Sequence, residues 1–179
     1  MRYFMGIDVG TNETKAVLID EKCEIVAFAS CGHDLLNPQP GFFEHDAEKT
    51  WWGDFCHLSR QLLAESGVDA KDVGCVGLSA LGCDCVPVDA EGTALCNAIL
   101  YGVDSRSHKE IEWLYAYYGK EEAERLYGHE LCSSDIAPKI LWVKNNLPDV
   151  YAKTAKFLTG SSYLCAKLTG KFTIDRYLA

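Results

Sequence analysis

The sequence is poor in positive charge and has no long apolar run, and both absences narrow its function. Its formal net charge at pH 7 is -9, with 17 Lys and Arg against 26 Asp and Glu. We expect no binding to nucleic acid, because a phosphate backbone requires clustered Lys and Arg. No apolar run approaches the about 18 residues of a membrane span, so we expect no membrane segment.

We expect no signal peptide, and the sequence contains no C-x-x-C pair. The start of the chain leads directly into a predicted strand, which leaves no room for a signal peptide. Without C-x-x-C spacing, the nine cysteines suggest neither a zinc ribbon nor a thioredoxin-like site. We interpret them as reduced apolar side chains of a cytoplasmic protein, although Cys83 and Cys85 could line one surface and bind a metal. His45 and His57 lack metal-ligand spacing and are expected at a helix boundary or on the surface.

The distribution of apolar residues predicts both strands and helices. The 179 residues, 48% of them hydrophobic, suffice for one globular domain with a sizeable core. Predicted strands cover residues 2–8, 14–20, 24–30, 73–80, 85–88, 98–101 and 157–158. Predicted helices cover residues 47–66, between the N-cap Asp46 and the terminator Gly67, and residues 107–118, 120–127, 136–146, 148–155 and 161–168. We therefore expect a mixed α/β fold in which the 73–80 strand is buried on both faces.

The most informative motif is the strand–turn–strand segment over residues 6–15. An apolar run ends at the carboxylate of Asp8, Gly10 and Thr11 form a tight turn, and a second apolar run follows. A carboxylate at a strand end can hold hydrated Mg²⁺ against a polyphosphate, while turn N–H groups and hydroxyls bind phosphate oxygens. An ordinary hairpin uses the same residue types, so the motif alone leaves both interpretations open. It is neither a Walker motif nor G-x-G-x-x-G.

This hairpin resembles the phosphate hairpin of the actin-like, hexokinase-like and sugar-kinase ATPase superfamily, and later segments resemble one branch of it. In family order, those segments are residues 41–46 with Trp51 and Trp52, residues 77–79, residues 98–101 with Asp104 and Arg106, residues 138–142, and residues 168–170 with Asp175. Together they resemble the FGGY carbohydrate kinases, which include glycerol, xylulose and gluconate kinases. The resemblance implies a ribonuclease H-like fold and phosphorylation of a small sugar or polyol with ATP and Mg²⁺.

The resemblance assigns the ATP-phosphate contacts to the hairpin. By position, Gly10, Thr11, Asn12 and Thr14 face the phosphates, Lys15 adds a cation beside them, and Asp8 holds Mg²⁺ through water. Asn12 stands where the family usually has Ser or Thr, and its amide can still donate a hydrogen bond. The charge of Glu13 is expected to point away from the phosphates.

The resemblance also places the substrate contacts, although this part of the sequence departs from the family pattern. By position, the candidates are Gly82, Cys83, Asp84, Asp104, Arg106 and Ser134. Glycerol and xylulose are not favoured, because neither Gly82 nor Cys83 offers a strong ligand for a hydroxyl. Two alternatives stay open, namely Asp84 as a turn carboxylate and Asp104 with Arg106 as an ion pair that fixes a loop.

The resemblance covers only the N-terminal part of such a kinase. In the family, the Asp that acts as catalytic base, the adenosine-binding motifs and the second domain follow the matched region, beyond Ala179. We therefore expect residues 1–179 to form an incomplete N-terminal domain without kinase turnover of its own, and its uncovered apolar surface to favour a homodimer. An actin-like ATPase or activator domain and a non-catalytic kinase-like module are the two alternatives.

Overall fold

The computed structural model describes residues 2–176 and contains both strands and helices. The strands are β1 (Tyr3–Val9), β2 (Glu13–Ile19), β3 (Ile25–Gly32), β4 (Glu44–His45), β5 (Val73–Ala80), β6 (Val86–Val88), β7 (Ala98–Ile99) and β8 (Lys156–Leu158). The helices are α1 (Gly53–Ser66), α2 (His108–Tyr118), α3 (Lys120–Tyr127), α4 (Ile136–Asn146), α5 (Pro148–Lys153) and α6 (Gly160–Thr169). The predicted elements are confirmed with shifts of one to two residues at most ends, and the short strand β4 is added.

The central sheet has four strands in the order β3-β2-β1-β5. Strands β1, β2 and β3 form an antiparallel meander, and β5 pairs with β1 in parallel. In this register Asp8 lies between Lys15 on β2 and Ser79 on β5. The pairing therefore gathers polar groups from three strands at the end of the sheet that carries the β1–β2 turn.

A hydrophobic core lies between one face of the sheet and α1. Alternate β1 residues Met5, Ile7 and Val9 point into it, where they meet the buried leucines Leu58 and Leu62 of α1. This period of two on the strand against a period near four on the helix is the pattern expected for a half-buried sheet under an amphipathic helix. Helix α6 adds Tyr163 and Leu164 to the same core.

A π-helical segment over Ala47–Trp52 begins the predicted helix in front of α1. The Oδ1 atom of Asp46 accepts hydrogen bonds from the N–H groups of Glu48 and Lys49, which confirms the predicted N-cap. Gly67 ends α1 with a φ of 69°, a conformation that glycine adopts without strain. Trp51, in this segment, is fully buried in the core.

The prediction that the 73–80 strand is buried on both faces is wrong. Within the described residues β5 is an edge strand, and most of its residues are exposed or half-exposed. The sheet face opposite α1 carries the exposed aromatic rings of Phe4 and Phe28. Gly6 and Gly77 pair across β1 and β5 on this face, so the face has a shallow trough of about 400 Å³.

No helix within residues 2–176 is long and apolar enough to cross a membrane. All nine cysteines are free thiols. Cys85 is buried, whereas Cys83 lies in a loop and is half-buried, so the two thiols do not share the single strand face that their spacing suggested.

The open sheet face generates a prediction about self-association. We expect the chain to form a homodimer through this face, because exposed aromatic side chains around a trough favour burial against an apolar partner. Phe28→Lys places a charge in the centre of the face and should weaken self-association by at least about tenfold in Kd, or about 1.4 kcal/mol. Sedimentation velocity over a concentration series measures the effect.

Tyr117→Lys is the matched control, because Tyr117 is an exposed aromatic on α2, distant from the sheet. A wild-type chain that stays monomeric at all concentrations, or equal weakening by both substitutions, would contradict the prediction.

Candidate functional site

The β1–β2 turn is short and tightly closed. The N–H of Gly10 donates to the carbonyl oxygen of Glu13 at 3.0 Å. A side chain at position 10 would crowd the same oxygen, since its Cβ would lie 3.0 Å away. Glycine at this position therefore permits the close approach on which the shape of the turn depends.

Two histidines hold the turn from the side of the core. The Nε2 atom of His33 lies 3.1 Å from the carbonyl oxygen of Gly10, and Nε2 of His45 lies 3.0 Å from that of Thr11. The two rings pack edge to face with centroids 4.9 Å apart. Because each Nε2–H donates to a backbone carbonyl, the pair fixes the orientation of two successive peptide groups of the turn.

His45 lies directly before the N-cap Asp46, so its predicted place at a helix boundary is confirmed, and it is buried rather than on the surface. Its Nδ1 accepts a hydrogen bond from Nε1–H of Trp51 at 3.0 Å, which leaves the proton on Nε2 for Thr11. Burial lowers the pKa of His45 to about 4. His57 is exposed, as predicted.

His33 is bound on both ring nitrogens by acceptors. Its Nδ1 lies 2.8 Å from Oδ2 of Asp54, and the hydroxyl of Thr14 donates to the same oxygen at 2.7 Å. Both ring nitrogens thus face acceptors, and the ring donates to the carboxylate and to the Gly10 carbonyl at the same time only when both nitrogens carry a proton. Sequence reasoning missed His33 and Asp54, because residues 21 positions apart meet only once β3 and α1 pack together.

The structure does not support the predicted phosphate contact of the Thr14 side chain. Thr14 is fully buried, and its hydroxyl points to Asp54 on α1 rather than outward from the turn. The alternation of a β-strand explains the difference, since the odd-numbered neighbours Glu13 and Lys15 face the other side of the sheet.

Asp8 and Lys15 occupy the outer face at the end of the sheet. Both side chains are exposed, and they sit on directly paired positions of β1 and β2. Glu13 lies beside Lys15, with Oε2 3.3 Å from Nζ, and hydrogen bonds from Ser30 and Lys15 lower the pKa of Glu13. Part of the Lys15 charge is therefore matched by a carboxylate on the same face.

The donor set fits a hydrated Mg²⁺ rather than a fully protein-coordinated ion. Within residues 2–176, no group of three or more His, Cys, Asp or Glu side chains is arranged to hold a metal. Asp8 is a single exposed carboxylate at the end of β1, beside the turn of Thr11 and Asn12. Mg²⁺ commonly keeps several waters and takes only one or two carboxylates together with substrate phosphates.

Two of the predicted substrate contacts, Cys83 and Ser134, line a common cavity of about 810 Å³. Thr159, at the start of α6, lines the same cavity. Gly82 lies next to it under the ring of Tyr101, whose nearest atoms would lie 4.0 Å from a Cβ at position 82. The loop after β5 therefore forms one wall of a space large enough for a small ligand.

Asp84 faces away from this cavity, into the protein. Its Oδ1 accepts the N–H of Tyr101 at 2.8 Å, and its Oδ2 is buried without a hydrogen-bond partner. Burial raises the pKa of Asp84 to about 6. The equally buried Lys139 donates from Nζ to the carbonyl oxygen of Cys83 at 2.7 Å. Asp84 and Lys139 thus fix the loop from behind, and a direct substrate contact of Asp84 is not supported.

The predicted substrate contacts of Asp104 and Arg106 are not supported either. Both side chains are buried and form a bidentate ion pair, in which Nη2 and Nε of Arg106 lie 2.8 and 2.9 Å from Oδ2 of Asp104. Asp104 also accepts the N–H of Phe43, and Arg106 also pairs with Glu44. The contacts match the loop-fixing alternative, because each charged group is already satisfied within the protein.

Asp84 generates a prediction about the pH dependence of stability. Its folded pKa lies above its unfolded value, so the folded state binds more protons between pH 4 and 6 and loses stability as pH rises through that range. Asp84→Asn removes this loss and keeps an acceptor for Tyr101. The stability of the variant relative to wild type should increase by about 2 kcal/mol between pH 4 and pH 7.

Urea unfolding at several pH values measures this difference. Asp149→Asn, at an exposed position near the start of α5, is the control and should stay within about 0.5 kcal/mol of wild type throughout. A difference between Asp84→Asn and wild type that does not change with pH would contradict the prediction.

Comparison with known proteins places this geometry in a family. The model of the N-terminal domain of the FGGY family of carbohydrate kinases matches residues 3–179. A xylulose kinase of Bacillus subtilis is 28% identical over 95% of the chain, and glycerol kinase 1 of Saccharolobus solfataricus is 30% identical over 98% of it. These matches cover 34% and 35% of the two relatives.

Solved structures show the same fold. The crystal structure of xylulose kinase from Rhodospirillum rubrum has a TM-score of 0.87 and 25% identity over 98% of the chain, which corresponds to 36% of that protein. Plasmodium falciparum glycerol kinase, solved with ADP, has a TM-score of 0.83 and 25% identity over 95% of the chain, or 35% of its own length. The chain thus spans about a third of its relatives, and the predicted ribonuclease H-like fold is confirmed. The chain belongs to the FGGY family of carbohydrate kinases and corresponds to an N-terminal part of such an enzyme.

Proposed function

We propose that the chain is the N-terminal, phosphate-binding part of an enzyme that transfers the γ-phosphate of ATP to a hydroxyl of a sugar or polyol. The observation that carries this proposal is the β1–β2 turn. Its Gly10 and Thr11 carbonyls are held from below by His33 and His45, and the exposed carboxylate of Asp8 stands beside it. Because these hydrogen bonds fix two peptide groups of the turn, the turn is preorganised to bind a charged ligand.

In this proposal the turn binds the phosphates and the cavity behind Cys83 holds the acceptor. The turn N–H groups other than that of Gly10, the Thr11 hydroxyl and the Asn12 amide donate to phosphate oxygens, and Lys15 adds a cation. Asp8 holds Mg²⁺ through water, and the ion, when bound, neutralises phosphate charge. In its doubly protonated form, the His33 ring adds positive charge from beneath.

Transfer forms a bond from the acceptor oxygen to the γ-phosphorus, breaks the bond to ADP, and sends the hydroxyl proton to a base. The resemblance assigns that base to an Asp outside this chain. We therefore propose that the chain binds nucleotide but does not turn over sugar alone. Sugar-dependent turnover by a longer, complete kinase separates this proposal from an actin-like ATPase or activator, which would hydrolyse ATP without sugar. A cytoplasmic location is part of the proposal and agrees with the nine free thiols.

The role of Asp8 is tested by nucleotide titration. Isothermal titration calorimetry should show that Mg-ATP binds the chain more tightly than ATP in the presence of a chelator. Asp8→Asn removes the carboxylate that holds the hydrated ion, so this advantage should fall by about tenfold or more. Glu21→Gln, in the exposed turn between β2 and β3, is the matched control and should leave it unchanged. Equal magnesium dependence in Asp8→Asn and wild type would refute the assignment.

The role of His33 is tested by a second titration. His33→Leu removes both the donor to Gly10 and the charge beneath the turn, and should weaken Mg-ATP binding by about tenfold. His33→Gln keeps one N–H donor and should recover part of the loss. Amide chemical shifts should change around residues 10–14 while the rest of the spectrum stays native. His57→Leu, on the exposed side of α1, serves as control, and unchanged affinity in His33→Leu would argue against the role.

A further inference from the structure

The ring of His33 joins the β1–β2 turn to helix α1 through two hydrogen-bond acceptors. Its Nδ1 lies 2.8 Å from Oδ2 of Asp54, and its Nε2 lies 3.1 Å from the carbonyl oxygen of Gly10. A carbonyl oxygen has no proton to donate, and Oδ2 of Asp54 already accepts the hydroxyl of Thr14 at 2.7 Å. The ring therefore holds both neighbours only while both of its nitrogens carry a proton.

A neutral ring loses one of these two contacts. With its proton on Nδ1, the ring keeps the hydrogen bond to Asp54, and the lone pair of Nε2 then faces the lone pairs of the Gly10 carbonyl oxygen. With its proton on Nε2, the ring keeps Gly10, and the lone pair of Nδ1 faces the carboxylate. The side chain is only 7% exposed, so water compensates little for the lost contact. Simultaneous support of the turn and attachment to α1 thus requires the second proton.

The ionisable groups that face the ring determine the balance between its charged and neutral forms. Burial disfavours the charge, whereas the carboxylate of Asp54 on α1 and that of Glu13 on β2 favour it. His45 on β4 packs against the ring and stays neutral, because burial lowers its pKa to about 4. Cys31 on β3 hydrogen-bonds to Asp54 and adds no charge, because burial raises its pKa to about 11. Further negative charge at the turn therefore shifts the balance toward the charged ring.

We infer that binding of Mg-ATP to the β1–β2 turn is coupled to the uptake of a proton by His33. The inference rests on the proposed function of the turn and adds a pH-dependent control of that site. Phosphate at the turn stabilises a positive charge beneath it, and the charged ring in return fixes the Gly10 peptide group while it stays attached to Asp54. Because the bound state holds more protons than the free state, the affinity falls as the pH rises.

Calorimetry in buffers of different ionisation enthalpy measures the proton uptake. Between about pH 6 and pH 8, where histidine most readily changes its charge, the uptake on Mg-ATP binding should at its maximum exceed that of His33→Gln by about 0.4 proton or more. His33→Gln keeps a neutral N–H donor and cannot take up a proton. His57→Gln makes the same substitution at an exposed position on α1 and should retain the wild-type uptake.

The pH dependence of the affinity gives a second test. From pH 6 to pH 8, the Kd of the wild-type chain for Mg-ATP should rise by at least about fivefold more than the Kd of His33→Gln does. Ionisation of the nucleotide itself contributes equally to both proteins, so the difference isolates His33. His57→Gln should follow the wild-type curve. Parallel curves for the wild type and His33→Gln would overturn the inference.

The ¹⁵N resonances of the His33 ring make a third test that needs no variant. At a fixed pH between 6 and 8, addition of Mg-ATP to the wild-type chain should move both ring nitrogens toward the chemical shifts of a doubly protonated ring. The ring resonances of His57 should stay in place. A His33 ring that has the same protonation state with and without Mg-ATP throughout this range would overturn the inference, whatever the variants show.

The remaining outcomes separate the inference from the proposed function. Binding of Mg-ATP with equal proton uptake in the wild type and His33→Gln would overturn the coupling and leave the turn as the nucleotide site. Absence of Mg-ATP binding to the wild-type chain would contradict the proposed role of the turn, and the inference would fail with it.

Discussion

The hydrogen-bond chain from Trp51 through His45 to the carbonyl of Thr11 is the constraint on which the β1–β2 turn depends. It requires a buried indole to donate to one ring nitrogen, so that the other carries the proton that the turn needs. The π-helical segment before α1 places the indole there, and β4 places the imidazole. One polar side chain, His45, thus connects the hydrophobic core to a backbone carbonyl of the turn. The low dielectric around the buried ring strengthens both of its hydrogen bonds.

The loop after β5 is held in a similar way. Behind the loop after β5, Asp84 holds the N–H of Tyr101 and Lys139 holds the carbonyl of Cys83. In both places a buried side chain fixes the backbone of a surface segment, and the outward-facing groups are left for a ligand. The side chains that fix the backbone are therefore different from the groups that face outward. It explains why Asp84 and Thr14 occupy ligand positions in the sequence pattern yet point inward in the structure.

The elements and the fold class could be predicted from sequence because they depend on local periodicity, capping and turn chemistry, as Asp46 and Gly67 illustrate. The exposure of β5 could not be predicted from the sequence. Whether its faces are buried depends on which elements pack beside it, and hydrophobic periodicity does not describe that packing. Among site residues, Asp8 and the turn follow from a contiguous motif. His33 and Asp54 required the packing of distant elements, and for His45 the nearby Trp51 was the one available local signal. Asp104 and Arg106 show the limit of position-based transfer, since an ion pair and a ligand contact have the same sequence.

Two buried titratable groups, His45 behind the β1–β2 turn and Asp84 behind the loop after β5, have pKa values that folding shifts in opposite directions. The pKa of His45 falls and that of Asp84 rises. Near pH 5, His45 gives up a proton when the chain folds, whereas Asp84 takes one up. The two exchanges with the solvent largely cancel, so together they add almost nothing to the heat of buffer ionisation when folding is followed by calorimetry. The proton released behind the β1–β2 turn is thus balanced by the one captured behind the loop after β5.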